Sequence, residues 1–432
     1  MAFDYIRFQF ITFILIKTYD EDEYLLSKGG NTMDDRRLSL CMIVKDEENF
    51  IDGCLKSVKD YVDEMIIVDT GSTDRTVEIC KSFGAQVFTF KWNGSFSDAR
   101  NYGLERATGD WILWLDADEV VDTSDAKKLR EALKFDDLLL SVHLINYYGD
   151  SPDPNKTFDI AHTRLFQNHK GFKFNNKIHE MLNANEIIAK FNEDPTIKTV
   201  PIKVFHYGYL DPVNKEKKKS ERNIGMLKDE LKQKDYSPWI EYHIASEYYR
   251  LKNYNEAFDY VNRSIMGFLK QLKTPPSLLY RLKYSILISS GSIEGAWPGI
   301  ERAVTLYPDY VDLHFYKGII LMVKDLFKEA LEVFDLCLEM GEENLQHLTL
   351  KGVGSFQALY YKGCCLEKLG NIEEAAKCYA RASSLSSTFI SPVEALHKIM
   401  ENHHDVFTAL PEDNEDKALI TKILSMSTNK NK

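Results

Sequence analysis

Asp116 and Asp118 stand one small residue apart, directly after the apolar run Trp111–Leu115. In extended chain alternate side chains share a face, so the two carboxylates are expected to point the same way while Ala117 points elsewhere. Paired hard oxygens at a strand end suit Mg²⁺ or Mn²⁺ carrying a phosphorylated substrate. An isolated Asp-x-Asp is ordinarily a solvated acidic turn. The buried-type strand before this one and the Gly-containing turns upstream favour a metal site.

Other acidic groups also follow apolar runs. Asp46 and Glu47 come after Leu38–Val44, and Asp69 comes after Glu64–Val68 at the head of Asp69-Thr70-Gly71-Ser72-Thr73-Asp74. A carboxylate at Asp69 can accept the imide N–H of a uracil ring while a metal takes the diphosphate. Neither G-x-G-x-x-G nor G-x-x-x-x-G-K-[ST] occurs, which disfavours a dinucleotide oxidoreductase and a P-loop enzyme.

The elements that must position these groups follow from periodicity. Residues 49–60 have helical spacing, and a helix after Glu64–Val68 is expected to be capped by Ser72 or Thr73. Ala85–Phe90 reads as a strand and Phe96–Ala107 as a helix closed by Gly109 as C-cap. Ser124–Lys134 reads as a helix, Leu138–Tyr148 as a long strand and Asp150–Asn155 as a surface loop. Such alternation predicts right-handed β-α-β units and a mostly parallel sheet, with ligands beyond the carboxyl ends of the strands. Asp46, Glu47, Asp69, Asp116 and Asp118 all fall on that edge.

The chain has 432 residues and a formal charge of −12, enough length for two or three cored domains and the wrong balance for a general nucleic-acid binder. The basic run Lys215-Glu216-Lys217-Lys218-Lys219 reads as the solvated start of a helix. Seven cysteines without a C-x-x-C pair read as reduced thiols, hence a cytoplasmic location. The stretch Ile11–Ile16 is too short to span a bilayer, so no transmembrane segment is expected. Residues 1–37 read as a poorly constrained leader, with Met33 a possible start.

Residues 39–122 resemble family 2 glycosyltransferases of the GT-A fold. The resemblance rests on Ile-Val-Lys-Asp-Glu-Glu-Asn (43–49), Val-Asp-Thr-Gly-Ser-Thr-Asp (68–74), Ala-Arg-Asn (99–101) and Trp-Leu-Asp-Ala-Asp (114–118). It implies that Val44 and Glu47 line a nucleotide pocket, Asp69 holds uracil and Arg100 lies under the nucleotide. It places Asp116 near ribose and metal and Asp118 on the metal. Many members have Asn where Asp46 stands. Three later clusters, 162–166, 177–180 and 204–209, are not brought together by spacing. They resemble the His-Glu pair and the later His-x-Gly-Tyr of bacterial peptide S-glycosyltransferases of the sublancin type, which also carry a helical C-terminal domain. By that likeness Glu180 is the candidate base, with His179 beside it, and His206 is a third metal ligand. Arg164 is expected to pair with phosphate or with Asp118, or to form a structural ion pair.

From Asn214 the spacing is helical. A small residue is followed twelve positions later by Ala at Ala245/Ala257, Gly318/Ala330 and Gly363/Ala375, with a weaker copy through Ala296, Ala303 and Pro308. Leu359–Ala382 resembles a tetratricopeptide repeat, and an insertion is expected near Glu342–Gly354. Such helices offer a surface for an extended peptide or for a homodimer. The expected fold is a GT-A α/β domain over 38–212, a tetratricopeptide-like helical domain over 213–400, and a C-terminal helix and polar tail over 401–432. The expected activity is metal-dependent, inverting transfer of a hexose from a UDP-sugar, UDP-glucose favoured, to a peptide cysteine or serine. The rivals are a transferase of surface polysaccharide or glycolipid synthesis, and a repeat scaffold carrying an inactive domain.

Overall fold

The computed structural model describes residues 16–18, 35–191, 196–213, 219–403 and 415–430. It divides into two compact units: residues 1–147, 160–236 and 270–273 in the first, and 148–159, 237–269 and 274–432 in the second.

In the first unit the strands are Ile16–Thr18 (β1), Leu38–Val44 (β2), Glu64–Asp69 (β3), Gln86–Thr89 (β4), Trp111–Trp114 (β5), Glu119–Val121 (β6), Leu139–Tyr147 (β7), Thr157–Gln167 (β8, of which residues 157–159 are counted in the second unit), Phe174–Asn175 (β9), Met181–Leu182 (β10) and Ile197–His206 (β11). The helices are Ile51–Val58 (α1), Thr76–Ser82 (α2), Phe96–Leu104 (α3), Lys128–Ala132 (α4), Ala184–Phe191 (α5) and Lys219–Glu230 (α6). The sheet order is β1-β11-β7-β8-β5-β2-β3-β4, with β6 on β11. Strands β5, β2, β3 and β4 run parallel, β8 is antiparallel to β5, and β1 and β7 are parallel to β11.

The apolar runs form strands because both faces of the sheet are covered. Leu40, Met42, Met65, Ile67, Trp111 and Leu113 enter one core, while Cys41, Ile66, Ile112 and Trp114 enter the other. Val44 pairs with Asp69 and Cys41 with Trp114, so β5 ends three residues before β2 does, and residues 115–118 continue in the same direction towards the loops after β2 and β3. This places the three acidic loops on one rim.

Several local expectations are corrected. Ser72 and Thr73 do not cap α2, whose first amide at Thr76 donates to Asp74 Oδ1 at 2.9 Å. Ser72 and Thr73 instead bond to Asp46. Gly109 is not a C-cap: a Cβ there would lie 2.5 Å from Ser39 Oγ, so close approach to β2 excludes a side chain. Strand β1 lies beside Ile197–Thr199. The neighbouring residues 1–15 and 19–34, and the basic residues 215–218, lie outside the described residues.

The second unit contains Trp239–Arg250 (α7), Tyr254–Lys270 (α8), Ser277–Ser289 (α9), Ile293–Ala296 (α10), Gly299–Leu306 (α11), Val311–Val323 (α12), Phe327–Met340 (α13), Phe356–Lys368 (α14), Ile372–Leu385 (α15), Ser391–Asn402 (α16) and Glu415–Lys430 (α17). The small residues mark close helix crossings. A Cβ on Gly318 would meet Phe334 at 2.7 Å, and one on Gly363 would meet Tyr379 at 2.6 Å. The insertion forms a short strand, Thr349–Leu350 (β12), antiparallel to Phe158–Asp159 of the same unit. Helix α17 continues through the expected polar tail to Lys430, since no Gly or Pro interrupts residues 412–432. Among the described residues no helix is long and apolar enough to cross a membrane.

Candidate active site

Helix α3 starts at Ser95, whose Oγ accepts the Asp98 amide at 3.1 Å, and it carries Arg100 into the interior below the rim. Arg100 is 8% exposed and bridges two carboxylates, with Nη2 2.6 Å from Asp116 Oδ1 and Nε 2.5 Å from Glu180 Oε1. Burial works against the Arg100 cation, but Asp116 and Glu180 outweigh it and raise its pKa. Burial likewise opposes the Asp116 carboxylate, and Arg100 and Arg164 hold its pKa below the ordinary value.

Two guanidiniums lie against the Trp114 ring, with Arg100 Cζ 4.7 Å and Arg164 Cζ 3.9 Å from its centroid. Arg164 is buried, at 3% exposure. It forks onto the fully buried Glu119, with Nε 3.0 Å from Oε2 and Nη2 on Oε1, and its Nη1 contacts His162 Nδ1 at 2.8 Å. Arg164 is thus in an ion pair, and its carboxylate partner is Glu119 rather than Asp118. Glu119, adjacent to the acidic pair, is the partner the spacing did not reveal.

Asp116 and Asp118 do not share a strand face. The chain leaves β5 after Trp114 and turns through Ala117 and Asp118, with Glu119 N bonded to Asp116 O at 3.0 Å. Asp116 consequently faces Arg100, whereas Asp118 Oδ1 faces His206 Nε2 at 3.5 Å. The expected set of Asp116, Asp118 and His206 is therefore not gathered as three ligands. Among the described residues no group of three or more His, Cys, Asp or Glu is arranged to hold a metal ion.

The Asp118–His206 pair nevertheless has the donor chemistry for a divalent cation. His206 Nδ1 donates to Asn146 Oδ1 at 2.8 Å, which turns Nε2 towards the Asp118 carboxylate. An imidazole nitrogen facing a buried carboxylate calls for a cation or a proton between them. Burial disfavours the imidazolium, but Asp118 and the nearby Glu119 and Asp116 raise the His206 pKa above its usual value. Gly208 completes the cradle: a Cβ there would lie 2.4 Å from Asp118 Oδ2 and 2.5 Å from His206 Nε2.

On the other side of the rim, Asp69 is 6% exposed and accepts the Ser72 amide at 3.0 Å and the Gly71 amide at 3.3 Å. Val44 O accepts the Thr70 amide at 3.0 Å. Glu47 N donates to Thr76 Oγ1 at 2.7 Å, tying the loop after β2 to α2. Asp46 has φ +52° and stitches these loops, its Oδ1 accepting the Thr73 amide at 2.7 Å. Asn also adopts positive φ readily and carries the same acceptor, so Asp46 acts here as a loop clamp. His179 and Glu180 sit in the hairpin between β9 and β10, with His179 at φ +51° and Glu180 turned inward to Arg100. All seven cysteines are free thiols, and burial raises Cys41 and Cys54 far out of the nucleophilic range.

The sequence pattern of glycosyl transferase family 2 matches residues 39–191, and that of a tetratricopeptide repeat matches residues 356–389. A TPR repeat-containing protein of Synechococcus elongatus is 39% identical over 176 residues, 40% of this chain and 42% of that protein. The prophage-derived glycosyltransferase SunS of Bacillus subtilis is 29% identical over 324 residues, 71% of this chain and 73% of SunS. Glucosyl-3-phosphoglycerate synthase of Mycobacterium tuberculosis overlaps 31% of this chain and 51% of its own, with 22% identity and a TM-score of 0.24, too slight to bear on the site. The site on the sheet rim lies within or just beyond the first matched segment, and the close-packed Gly363–Tyr379 crossing lies within the second. The chain therefore carries a family 2 glycosyltransferase domain followed by helices of the tetratricopeptide type, the enzyme class and fold that its motifs resemble.

Proposed function

We propose that the protein is a metal-dependent inverting hexosyltransferase that moves a sugar from a UDP-sugar, UDP-glucose favoured, to a cysteine thiol or serine hydroxyl of a peptide. The observation that carries this reading is the Arg100 bridge, which fastens Glu180 to Asp116 on the rim where Asp69 and the Asp118–His206 pair also lie.

In this scheme Asp69 accepts the uracil imide N–H, with its carboxylate already oriented by two backbone amides. Asp118 and His206 would hold Mg²⁺ or Mn²⁺, which supplies positive charge to the leaving diphosphate. Glu180 takes the acceptor proton with one carboxylate oxygen while Arg100 fixes the other. The acceptor sulfur or oxygen bonds to the anomeric carbon from the face opposite UDP, and the sugar–oxygen bond to the diphosphate breaks with its electron pair. A thiol with an ordinary pKa of about 8.5 needs this base less than a hydroxyl does. The peptide acceptor is supported by the likeness at residues 179–180 and 206–209, by the alignment with SunS and by the repeat-type helices. Seven free cysteines fit a reducing, cytoplasmic setting.

The test is mass spectrometry of cysteine and serine peptides incubated with several UDP-sugars, beside calorimetry with UDP with and without Mn²⁺. One added hexose on a peptide is the expected result. UDP binding without transfer to any peptide would sink the acceptor assignment, and absence of UDP binding would leave a scaffold.

A further inference from the structure

We propose that Asn101 is a positioning residue for the transfer: its side-chain amide holds the hairpin that carries Glu180. The proposal rests on the role given to Glu180 above and adds the group that keeps this carboxylate in place.

The hairpin is too small to hold itself. Its strands β9 and β10 have two residues each, and a two-stranded ribbon of that size is marginal on its own. Two residues of its tip, Asn176 and His179, have φ of +67° and +51°. Glu180 directly follows the second of them, so its placement depends on what fixes the backbone on either side.

Helix α3 grips the hairpin at three points. The Phe96 amide, one of the donors that a helix N-terminus leaves without an internal partner, reaches Lys177 O at 2.8 Å. Arg100 Nε reaches Glu180 Oε1 at 2.5 Å. Asn101 forms a reciprocal pair with the Phe174 backbone, Nδ2 donating to Phe174 O at 2.9 Å and Oδ1 accepting the Phe174 amide at 2.8 Å. Successive strand residues turn their main-chain groups to opposite sides. Lys173 accordingly meets Asn183, whose Oδ1 accepts its amide at 2.9 Å and whose amide donates to its carbonyl at 3.1 Å. Phe174 faces the other way, and there the Asn101 amide stands where a further strand would be. Phe174 is 3% exposed, so without Asn101 its N–H and C=O would be buried and unpaired. Its ring lies 5.1 Å from that of Trp114 and 5.5 Å from Arg100 Cζ. A shift of β9 is therefore passed to the guanidinium that fastens Glu180.

Asn suits this task because a short stem presents both a donor and an acceptor. Asp keeps the acceptor but sets a carboxylate against Phe174 O, and Ala keeps neither.

The experiment makes N101A and N101D in the parent and in E180Q, and measures transfer from UDP-glucose to a serine peptide and to its cysteine counterpart. Both variants should lower kcat on the serine peptide about tenfold and on the cysteine peptide by less, with KM for UDP-glucose and UDP affinity in the presence of Mn²⁺ unchanged. In the E180Q background neither should lower kcat further, because the group they misplace no longer takes the proton. Amide hydrogen exchange across residues 171–183 should quicken about tenfold, while that of β2 and β3 stays as it was. Unchanged exchange in the hairpin would show that Asn101 does not hold it and would overturn the proposal alone. A fall in kcat of equal size with and without E180Q, or equal for serine and cysteine, would show that Asn101 does not act through Glu180. UDP binding with no transfer by the parent to any peptide would overturn the functional reading and the link to Glu180 with it.

Discussion

Gly208 lies so close to Asp118 that a side-chain carbon on it would stand 2.4 Å from the Asp118 Oδ2 atom. The same carbon would meet His206 Nε2 at 2.5 Å, so G208A must push apart the two groups assigned to the cation. We expect G208A to weaken Mn²⁺-dependent UDP binding by about 10- to 100-fold, the usual scale when the surroundings of a metal ligand are disturbed. G225A is the control, because a Cβ at Gly225 meets nothing within 4 Å and that position lies inside α6. It should leave binding intact and stabilise the helix by about 0.5–1 kcal/mol. Calorimetry and thermal denaturation of both variants read the two effects separately.

Arg100 ties together carboxylates that lie 64 residues apart in sequence, Asp116 and Glu180, and it is itself buried. R100M leaves Glu180 without this cation and Asp116 with Arg164 alone, and removal of one partner from a buried pair such as Arg100–Glu180 costs about 3–5 kcal/mol. Denaturant unfolding should show a loss of that order. R100K keeps the charge but cannot fork onto two carboxylates, so it should fold and lose activity by about 10²-fold. An R100K enzyme with unaltered kcat would remove Arg100 from the positioning of Glu180.

If Glu180 is the base, its importance depends on the acceptor. E180Q keeps the size and a hydrogen-bonding oxygen but cannot take a proton. Transfer to a serine peptide should fall by about 10²–10⁴, and transfer to a cysteine peptide by much less, because thiolate is already present near neutral pH. Unchanged transfer to serine would exclude Glu180 from that role.

These pairings separate what the sequence showed from what it concealed. Strands β2, β3 and β5 were legible because each is a continuous apolar run buried on both sides, and each precedes an acidic loop. Their parallel registers then bring Asp69 and the 116–118 turn to one rim. The turn itself was not legible, because one Ala between two Asp residues fits extended chain as well as a bend. Arg164 and Glu119 are 45 residues apart and meet only because β8 runs antiparallel to β5, a pairing that β-α-β alternation does not suggest. In the second unit the twelve-residue interval was informative because helix crossings need small residues. The partner of each glycine, sixteen positions on, emerges only when the helices are laid side by side.

Those crossings can be tested directly. A methyl group added at Gly318 would meet Phe334 at 2.7 Å, and one at Gly363 would meet Tyr379 at 2.6 Å, both partners being fully buried aromatics. G318A and G363A should each destabilise the protein by about 1–3 kcal/mol through overpacking, outweighing the gain in helix propensity. F334A should cost about 3–5 kcal/mol by leaving a cavity. Unfolding curves showing that either glycine variant is more stable than the parent would contradict the close approach of these helices.

His162 supplies a pH-dependent prediction. Its Nδ1 lies 2.8 Å from Arg164 Nη1 and 3.2 Å from Thr163 O. A guanidinium only donates and a carbonyl only accepts, so one nitrogen cannot bond to both, and the shorter, charge-assisted contact keeps Nδ1 unprotonated. Burial first, and then the Arg164 charge, push the His162 pKa down to about 3. In the unfolded chain it returns to about 6.5, so the folded state binds fewer protons between these values. The associated stability is fully present above about pH 6.5 and is lost as pH falls towards 3. At pH 5 the loss from this residue is about 2 kcal/mol relative to pH 7.5. Denaturant unfolding at the two pH values should show it, and H162Q, which still accepts from Arg164 but does not titrate, should have a correspondingly flatter dependence. In NMR the His162 ring signals should not move between pH 8 and 4.5. A midpoint near 6.5 would mean that the imidazole is not held against Arg164, and the paired guanidiniums around Trp114 would need another explanation.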